Sequence, residues 1–194
     1  MRCEPKLSSR VRNALTLPGV GVSLVLLLAS SGCTPNQPPQ WVEGGAPLVI
    51  APARWDRGDD DTIEILQNGQ VLEDGDKIFL VDRAGRIVDD DNEPVAILLP
   101  DGFVAGTDNR LLGRVGVANA APPNAAAAWL AVMPNGQVVY FDEDGDRSSD
   151  GAWRGCNGPQ MRTCTLITHV IALRKWSERS QGGVTFGVGI GVGL

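Results

Sequence analysis

Apolar residues in this chain come in short runs that are separated by turn dipeptides. The runs are rich in Val, Ile and Leu, and Gly or Pro interrupts every stretch that could keep a helical period of 3.6. Short β-branched runs between Asn-Gly or Asp-Gly pairs are typical of strands joined by hairpins. The pattern therefore predicts strands that include residues 47–51, 62–66, 77–82, 94–99, 111–117, 129–133 and 137–141.

The turn glycines recur at regular spacing. Gly69, Gly85 and Gly102 are 16 and 17 residues apart, which is about the length of one hairpin. We expect two-residue type I′ turns at the dipeptides 68–69, 84–85, 101–102, 135–136 and 144–145, because Asn-Gly and Asp-Gly supply the positive φ that these turns need. There are too few units for a propeller. The fold prediction is a single small all-β domain of consecutive hairpins, built as a sandwich or barrel.

Two apolar segments near the C-terminus are less easily assigned. The apolar residues of 165–173 could line one face of a helix, but the β-branched residues among them favour a buried strand. Periodicity alone does not distinguish the two structures. Residues 184–194 alternate glycine with large apolar residues. We interpret this run as the final core strand, pairing with 165–173. The alternative is a strand donated to the sheet edge of a partner.

The N-terminus has the layout of an export signal. Four basic residues precede an apolar run at about 19–29, which ends in small residues and Cys33. An apolar run of about eleven residues rises only ~16 Å as a helix, too little for a hydrocarbon core of ~30 Å. With cysteine directly after Ser-Ser-Gly, the segment resembles the lipobox of bacterial lipoproteins.

That resemblance implies a membrane anchor. In the family, the thiol at the position of Cys33 receives a diacylglycerol, the signal is cut before it, and its new amine usually takes a further acyl chain such as palmitate. Thr34 is not the aspartate associated with inner-membrane retention, which favours the periplasmic side of the outer membrane in a Gram-negative host. The expected domains are a signal peptide (1–32), a lipidated cysteine with a proline-rich flexible tether (33–47), and a β-rich domain (48–194).

Charge narrows the choice of partners. Residues 1–32 hold four of the 17 Lys and Arg and one of the 23 Asp and Glu, so the remaining chain has a net charge of −9. A chain this acidic has no electrostatic footprint for phosphate backbones or for anionic lipid headgroups, which excludes nucleic acid as a partner. The expected partners are the bilayer, through acylated Cys33, and an envelope protein or glycan.

Two cysteines remain in the domain besides the anchor. Cys156 and Cys164 bracket seven residues that include Asn157-Gly158-Pro159, which can turn the chain. The alternatives are a redox-active pair or half of a metal site, but the spacing fits neither. In an oxidising compartment this pair predicts a structural disulfide.

The sequence has none of the common catalytic motifs. His169 is the only histidine, and the sequence contains no G-x-S-x-G, H-E-x-x-H or P-loop motif. We interpret His169 as structural and expect a non-enzymatic chain. The five tryptophans could contact a sugar or a partner surface, but the preferred interpretation is core filling for Trp129 and surface packing for the others.

Clustered acids are the remaining candidates for a site. Carboxylates on alternate residues around a turn could supply oxygens to Ca²⁺, although the glycine required in an EF-hand loop is missing. The preferred interpretation is a solvated acidic turn. The Ca²⁺ candidates are Asp142, Asp144, Asp146 and Asp150.

The function expected from these observations is an envelope lipoprotein with a non-enzymatic interaction or structural domain. The alternative is a module that binds Ca²⁺, a sugar or another small ligand.

Overall fold

The strands form a closed antiparallel barrel around one long helix. The computed structural model describes residues 36–58 and 61–181. The strands are β1 (Ala53–Asp56), β2 (Thr62–Ile65), β3 (Gln70–Glu73), β4 (Asp76–Val81), β5 (Arg86–Asp89), β6 (Pro94–Leu98), β7 (Phe103–Gly106), β8 (Leu111–Val115), β9 (Asn119–Ala121), β10 (Leu130–Val132), β11 (Gln137–Phe141) and β12 (Arg147–Arg154). Short 3₁₀ turns cover Thr107–Asn109 and Gly158–Gln160, and the helix α1 covers Met161–Gln181.

Each strand pairs with the strands before and after it in sequence. The circle closes where β1 pairs with β12, with Trp55 opposite Trp153. The prediction of consecutive hairpins in an all-β domain is confirmed. Of the two predicted architectures, a sandwich or a barrel, the structure is a barrel. The strand predicted at 47–51 is wrong: Leu48 donates its N–H to the carbonyl of Arg83, outside any ladder, as this segment crosses one end of the barrel.

The helix α1 fills the inside of the barrel. With strands ~4.8 Å apart and tilted ~40°, a twelve-stranded barrel has a radius of about 12 Å. A helix with its side chains takes up about 5–6 Å of that radius, which leaves room for one layer of inward side chains. Residues 163–171 are all buried and cover every direction around the helix axis. The barrel wall therefore encloses this part of α1.

The strand preferred at 165–173 is wrong, since these residues lie within α1. A helix that is buried on all sides has no polar face, so its sequence shows no 3.6 period. Its β-branched residues are tolerated because packing overrides propensity and because the hydroxyls of Thr165 and Thr168 donate to the carbonyls of Met161 and Cys164.

The hairpins at the five predicted dipeptides contain three loop residues rather than two, whereas the hairpin between β3 and β4 has a two-residue loop, Asp74-Gly75, with φ values of 52° and 93°. In the turn at 66–70, the N–H of Gly69 donates to the carbonyl of Leu66, and the N–H of Leu66 donates to the carbonyl of Gln70. Gly69 has a φ of 88°, whereas Asn68 is not among the residues with positive φ. This geometry is a type I turn followed by a glycine bulge, not type I′. It recurs at 82–86, 99–103, 133–137 and 142–146, and at 89–93 with Asn92 in place of the glycine.

Because the strands alternate in direction, the connections between them fall at two ends of the barrel. The first, the glycine end, has the turns at 66–70, 82–86, 99–103, 116–119 and 133–137. The second, the acidic end, has the connections at 57–61, 74–75, 90–93, 107–110, 122–129 and 142–146.

The helix enters at the glycine end and leaves at the acidic end. At the glycine end, Thr163 donates its hydroxyl to the carbonyl of Val49, and the hydroxyl of Thr165 lies 2.9 Å from the carbonyl of Val117 and shares its single proton between that carbonyl and the carbonyl of Met161. At the acidic end, Arg174 pairs with Glu73. The direction of α1 is thus fixed by polar contacts at both ends.

A covalent link also fixes the start of the helix. Cys156 follows β12, and Cys164 lies in the first turns of α1. Their sulfurs lie at disulfide distance, and their Cα atoms are 6.1 Å apart. The predicted pairing is confirmed.

The segment before β1 contacts the barrel. The N–H groups of Gly45 and Ala46 donate to the carbonyls of Ala84 and Leu98 at 2.7 and 2.6 Å. Pro38 and Ala46 are buried. Contacts with the domain therefore begin ahead of residue 48. Cys33 and the run 184–194 lie outside the described residues.

The turn glycines allow a matched test of the close approach at the glycine end. A Cβ on Gly136 would lie 2.0 Å from the carbonyl oxygen of Trp153, whereas a Cβ on Gly145 would meet nothing within 4 Å. Their φ values, 87° and 82°, are nearly the same. We predict that Gly145→Ala costs about 1–2 kcal/mol, the strain of positive φ alone. Gly136→Ala should cost clearly more, because backbone must also move. Urea unfolding measures both, and equal losses would contradict the packing of this turn.

Candidate functional site

His169 has both ring nitrogens engaged inside the barrel. Its Nδ1 accepts a hydrogen bond from the indole N–H of Trp129 at 3.0 Å. Because Nδ1 accepts, Nε2 carries the proton and donates to the carbonyl of Leu112 at 2.9 Å. Gly113 makes room for the ring, since a Cβ there would lie 2.7 Å from Nε2. Trp129 also packs edge-on against the ring, with centroids 5.5 Å apart.

This environment keeps His169 neutral. Burial lowers its pKa to about 4, although the hydrogen bond to Leu112 acts in the opposite direction. A general base needs a free nitrogen directed at a substrate. Both nitrogens here are used within the fold, which supports the structural interpretation of this residue.

Two of the four candidate Ca²⁺ ligands are occupied by contacts within the protein, and the other two, Asp144 and Asp146, are exposed. The Oδ1 atom of Asp142 accepts the backbone N–H groups of Asp144 and Asp146 at 3.1 and 2.8 Å, which closes the turn. Asp150 instead forms a two-pronged ion pair with Arg57, at 2.8–3.1 Å. In the ranges 36–58 and 61–181, no group of three or more His, Cys, Asp or Glu side chains is arranged to hold a metal ion.

The ion pair between Arg57 and Asp150 lies over the aromatic part of the core. The guanidinium of Arg57 is 4.9 Å from the ring centroid of Trp55, whose indole N–H donates to the carbonyl of Asp150 at 2.6 Å. Burial raises the pKa of the nearby Tyr140, and the charge of Asp150 raises it further. Tyr140 therefore stays a neutral phenol.

Further ion pairs close the acidic end around the helix. Lys175 contacts Asp61 at 2.7 Å and Glu73 at 3.4 Å, and Arg174 also pairs with Glu73. The hydrogen bond and charge of Lys175 lower the pKa of Asp61. The arrangement anchors the last part of α1 to two strand connections.

The tryptophans differ from the expected distribution. Trp55 and Trp153 are stacked in the core with centroids 5.6 Å apart, so surface packing is wrong for both. Trp129 is partly buried against the core, beside the half-exposed Trp176. The indole N–H of Trp153 donates to the hydroxyl of Thr168 at 2.9 Å. Three indoles thus serve to hold α1 and the barrel closure in place.

Two shallow grooves lie on the surface near the glycine end. One of about 280 Å³ borders the disulfide, between the turn at 133–137 and residues 153–157. The other, about 430 Å³, lies between β1 and β2, beside Arg154. Both are open, and neither draws on His169 or the buried ion pair of Arg57.

The glycine end also exposes large apolar side chains. Phe103, Val117 and Met133 stand on three successive turns, and Val49 lies over the entrance of α1. Arg114 stacks on Phe103, with its guanidinium carbon 5.4 Å from the ring centroid. The glycine end thus presents exposed apolar side chains, which we call the apolar tips, together with arginine.

Charge is divided unevenly between the two ends. Among the described residues, four acids and six bases lie toward the glycine end, a net charge of +2, and 16 acids and seven bases lie toward the acidic end, a net charge of −9. The bases of the glycine end are Arg54, Arg83, Arg86, Arg114, Arg154 and Arg162, and its acids are Glu43, Glu64, Asp82 and Asp101.

Comparisons with known proteins add no assignment. The chain matches no family model, no curated protein and no solved structure. Within the part of the chain that the structure describes, no helix is long and apolar enough to cross a membrane.

The neutral state of His169 predicts a pH dependence. A pKa of about 4 in the folded state, against an ordinary value of 6.5, means that the unfolded chain binds the extra proton first. Stability from this residue is complete above pH ~6.5 and falls by about 3 kcal/mol as the pH drops to ~4. Urea unfolding at several pH values measures the loss. His169→Gln should flatten the profile in this window, and an unchanged profile would contradict the assignment.

The turn at 142–146 predicts different effects for two neighbouring carboxylates. Asp142→Ala removes the acceptor of two backbone N–H groups and should cost about 1–2 kcal/mol. Asp144→Ala, the matched control, should cost little, because its exposed carboxylate makes no such bond. Neither loss should depend on Ca²⁺. A melting shift of the unaltered protein in 5 mM Ca²⁺ that Asp144→Ala abolishes would instead establish a cation site.

Proposed function

We propose that this chain is a lipid-anchored envelope protein whose barrel is a non-enzymatic interaction or structural domain. The anchor is Cys33, on the periplasmic side of the outer membrane if the host is Gram-negative. Two or three acyl chains satisfy the two-signal requirement for stable anchoring, at ~0.8 kcal/mol per buried CH₂.

One observation carries the non-enzymatic part of the proposal, the filled interior of the barrel. Residues 163–171 of α1 occupy the place where a wide barrel would otherwise enclose a ligand. The polar groups that α1 brings inside bind the wall: Thr168 contacts Trp153, and His169 contacts Trp129 and Leu112. These groups support rigidity and leave the outer surface as the place for a partner.

The alternative of a Ca²⁺- or sugar-binding module has less support. Of its four carboxylates, that of Asp142 accepts backbone N–H groups and that of Asp150 pairs with Arg57, and two of its tryptophans are buried in the core. Both grooves are shallow and open.

The anchor predicts a clear result for one substitution. Cys33→Ser should abolish incorporation of labelled palmitate and move the protein from the membrane fraction to the soluble fraction, because the thiol that takes the lipid is lost. Cys3→Ser is the matched control, since Cys3 lies in the signal and should not matter. Palmitate label that persists in Cys33→Ser would refute the proposed anchor.

A further inference from the structure

The glycine end combines two properties that a membrane-facing surface needs. Val49, Phe103, Val117 and Met133 are at least 38% exposed, and all lie at this end. Arginines surround them, including Arg83, which is exposed in the turn at 82–86. Apolar tips with basic neighbours are the composition of surfaces that rest in the headgroup region of anionic bilayers.

The opposite end has the composition that such a bilayer repels. Its net charge of −9 comes from turns that carry acids in groups, such as 89–91 and 142–146. In the described part of the chain, its one large exposed apolar side chain is Trp176. An anionic surface therefore favours one orientation of the domain over the other.

Distance decides whether the acidic end cancels the attraction. Strands of four to five residues rise about 13–17 Å, and the turns add to this separation. Salt screens exposed charges beyond about 8–10 Å. A surface that faces the glycine end therefore meets the local charge of +2 rather than the charge of the whole chain, and the amino end of α1 adds partial positive charge there.

We infer that the domain docks on an anionic lipid bilayer through its glycine end, with the acidic end directed away. This inference rests on the proposed anchor, which brings the domain to the bilayer. Trp41 accepts a hydrogen bond from Arg86 at the glycine end, and the eight residues from Cys33 to Trp41 can span up to about 27 Å. The segment is long enough for this orientation once residues 36–40, which include the buried Pro38, leave the barrel.

One contact favours the opposite orientation. Asn36, three residues after Cys33, hydrogen-bonds to Asp108 at the acidic end. Both side chains are exposed, and such a bond contributes only about 0.5–1.5 kcal/mol. Basic residues near an anionic surface contribute ~1 kcal/mol each, to which the apolar tips add. We therefore expect the contact between Asn36 and Asp108 to yield.

The test uses the full lipidated chain, reconstituted into vesicles, with one added cysteine that carries an environment-sensitive fluorophore. Val117→Cys places the label at the glycine end, and Glu143→Cys places it at the acidic end. Both side chains are exposed. In vesicles containing phosphatidylglycerol and lipids with a quencher, the label at 117 should shift to the blue and be quenched, and the label at 143 should not. In phosphatidylcholine vesicles, the quenching at 117 should fall several-fold.

A matched pair of charge reversals checks the electrostatic part. Arg83→Glu should lower the equilibrium constant for docking, measured by the quenching at 117, about 25-fold, because two units of charge change at a surface where each is worth a factor of about five. Arg110→Glu makes the same change at the acidic end and should leave quenching at 117 unchanged or stronger.

Quenching at 143 alone, at both positions or at neither would overturn the inference. Palmitate incorporation in the same preparations reports separately on the anchor. If Cys33 carries no lipid, the proposed function fails, whereas binding of the unlipidated chain to anionic vesicles through the label at 117 would still support the docking surface.

Discussion

The structure depends on filling the interior of a barrel that is too wide to fill itself. Eight strands can close on their own side chains, but twelve leave a gap of about one helix diameter. An empty apolar lumen of that size would forfeit the dispersion contacts of every inward side chain. The helix α1 supplies those contacts. To do so it must carry no unpaired polar group on any side. Residues 163–171 meet that requirement, and their few polar atoms bond to the wall or back to the helix.

An enclosed helix must also be held in register along its axis, since apolar contacts alone permit sliding. Three kinds of contact prevent this. The disulfide from Cys156 to Cys164 and the threonine hydroxyls fix the entrance, the bond from Trp153 to Thr168 fixes the middle, and the pairs of Arg174 and Lys175 fix the exit. His169 belongs to this set, because its two bonds join α1 to β8 and to the residue before β10.

Local rules predicted the hairpins and the disulfide, because both depend on neighbouring residues. They did not predict α1, since periodicity detects a helix only where one face is polar. The predicted type I′ geometry was also wrong. In the predicted turns only the glycine has positive φ, and the side chain of the residue before it, such as Asn68 or Asp101, accepts the backbone N–H of the residue two positions later. The core positions of Trp55 and Trp153 follow from the closure between β1 and β12, a long-range pairing that no local pattern reveals.

Net charge describes this molecule poorly, because it averages over two unlike ends. In an up-and-down barrel, successive turns alternate between the ends, so acids placed in every second connection accumulate at one of them. The turns at 89–93 and 142–146 at the acidic end follow that rule. The turns at 99–103 and 133–137 at the other end each have a single side chain, Asp101 or Asn135, that accepts a backbone N–H group. Once the separation of the ends exceeds the screening length, each end presents its own charge to a partner. The relevant quantity for binding is therefore the charge of one end and not that of the chain.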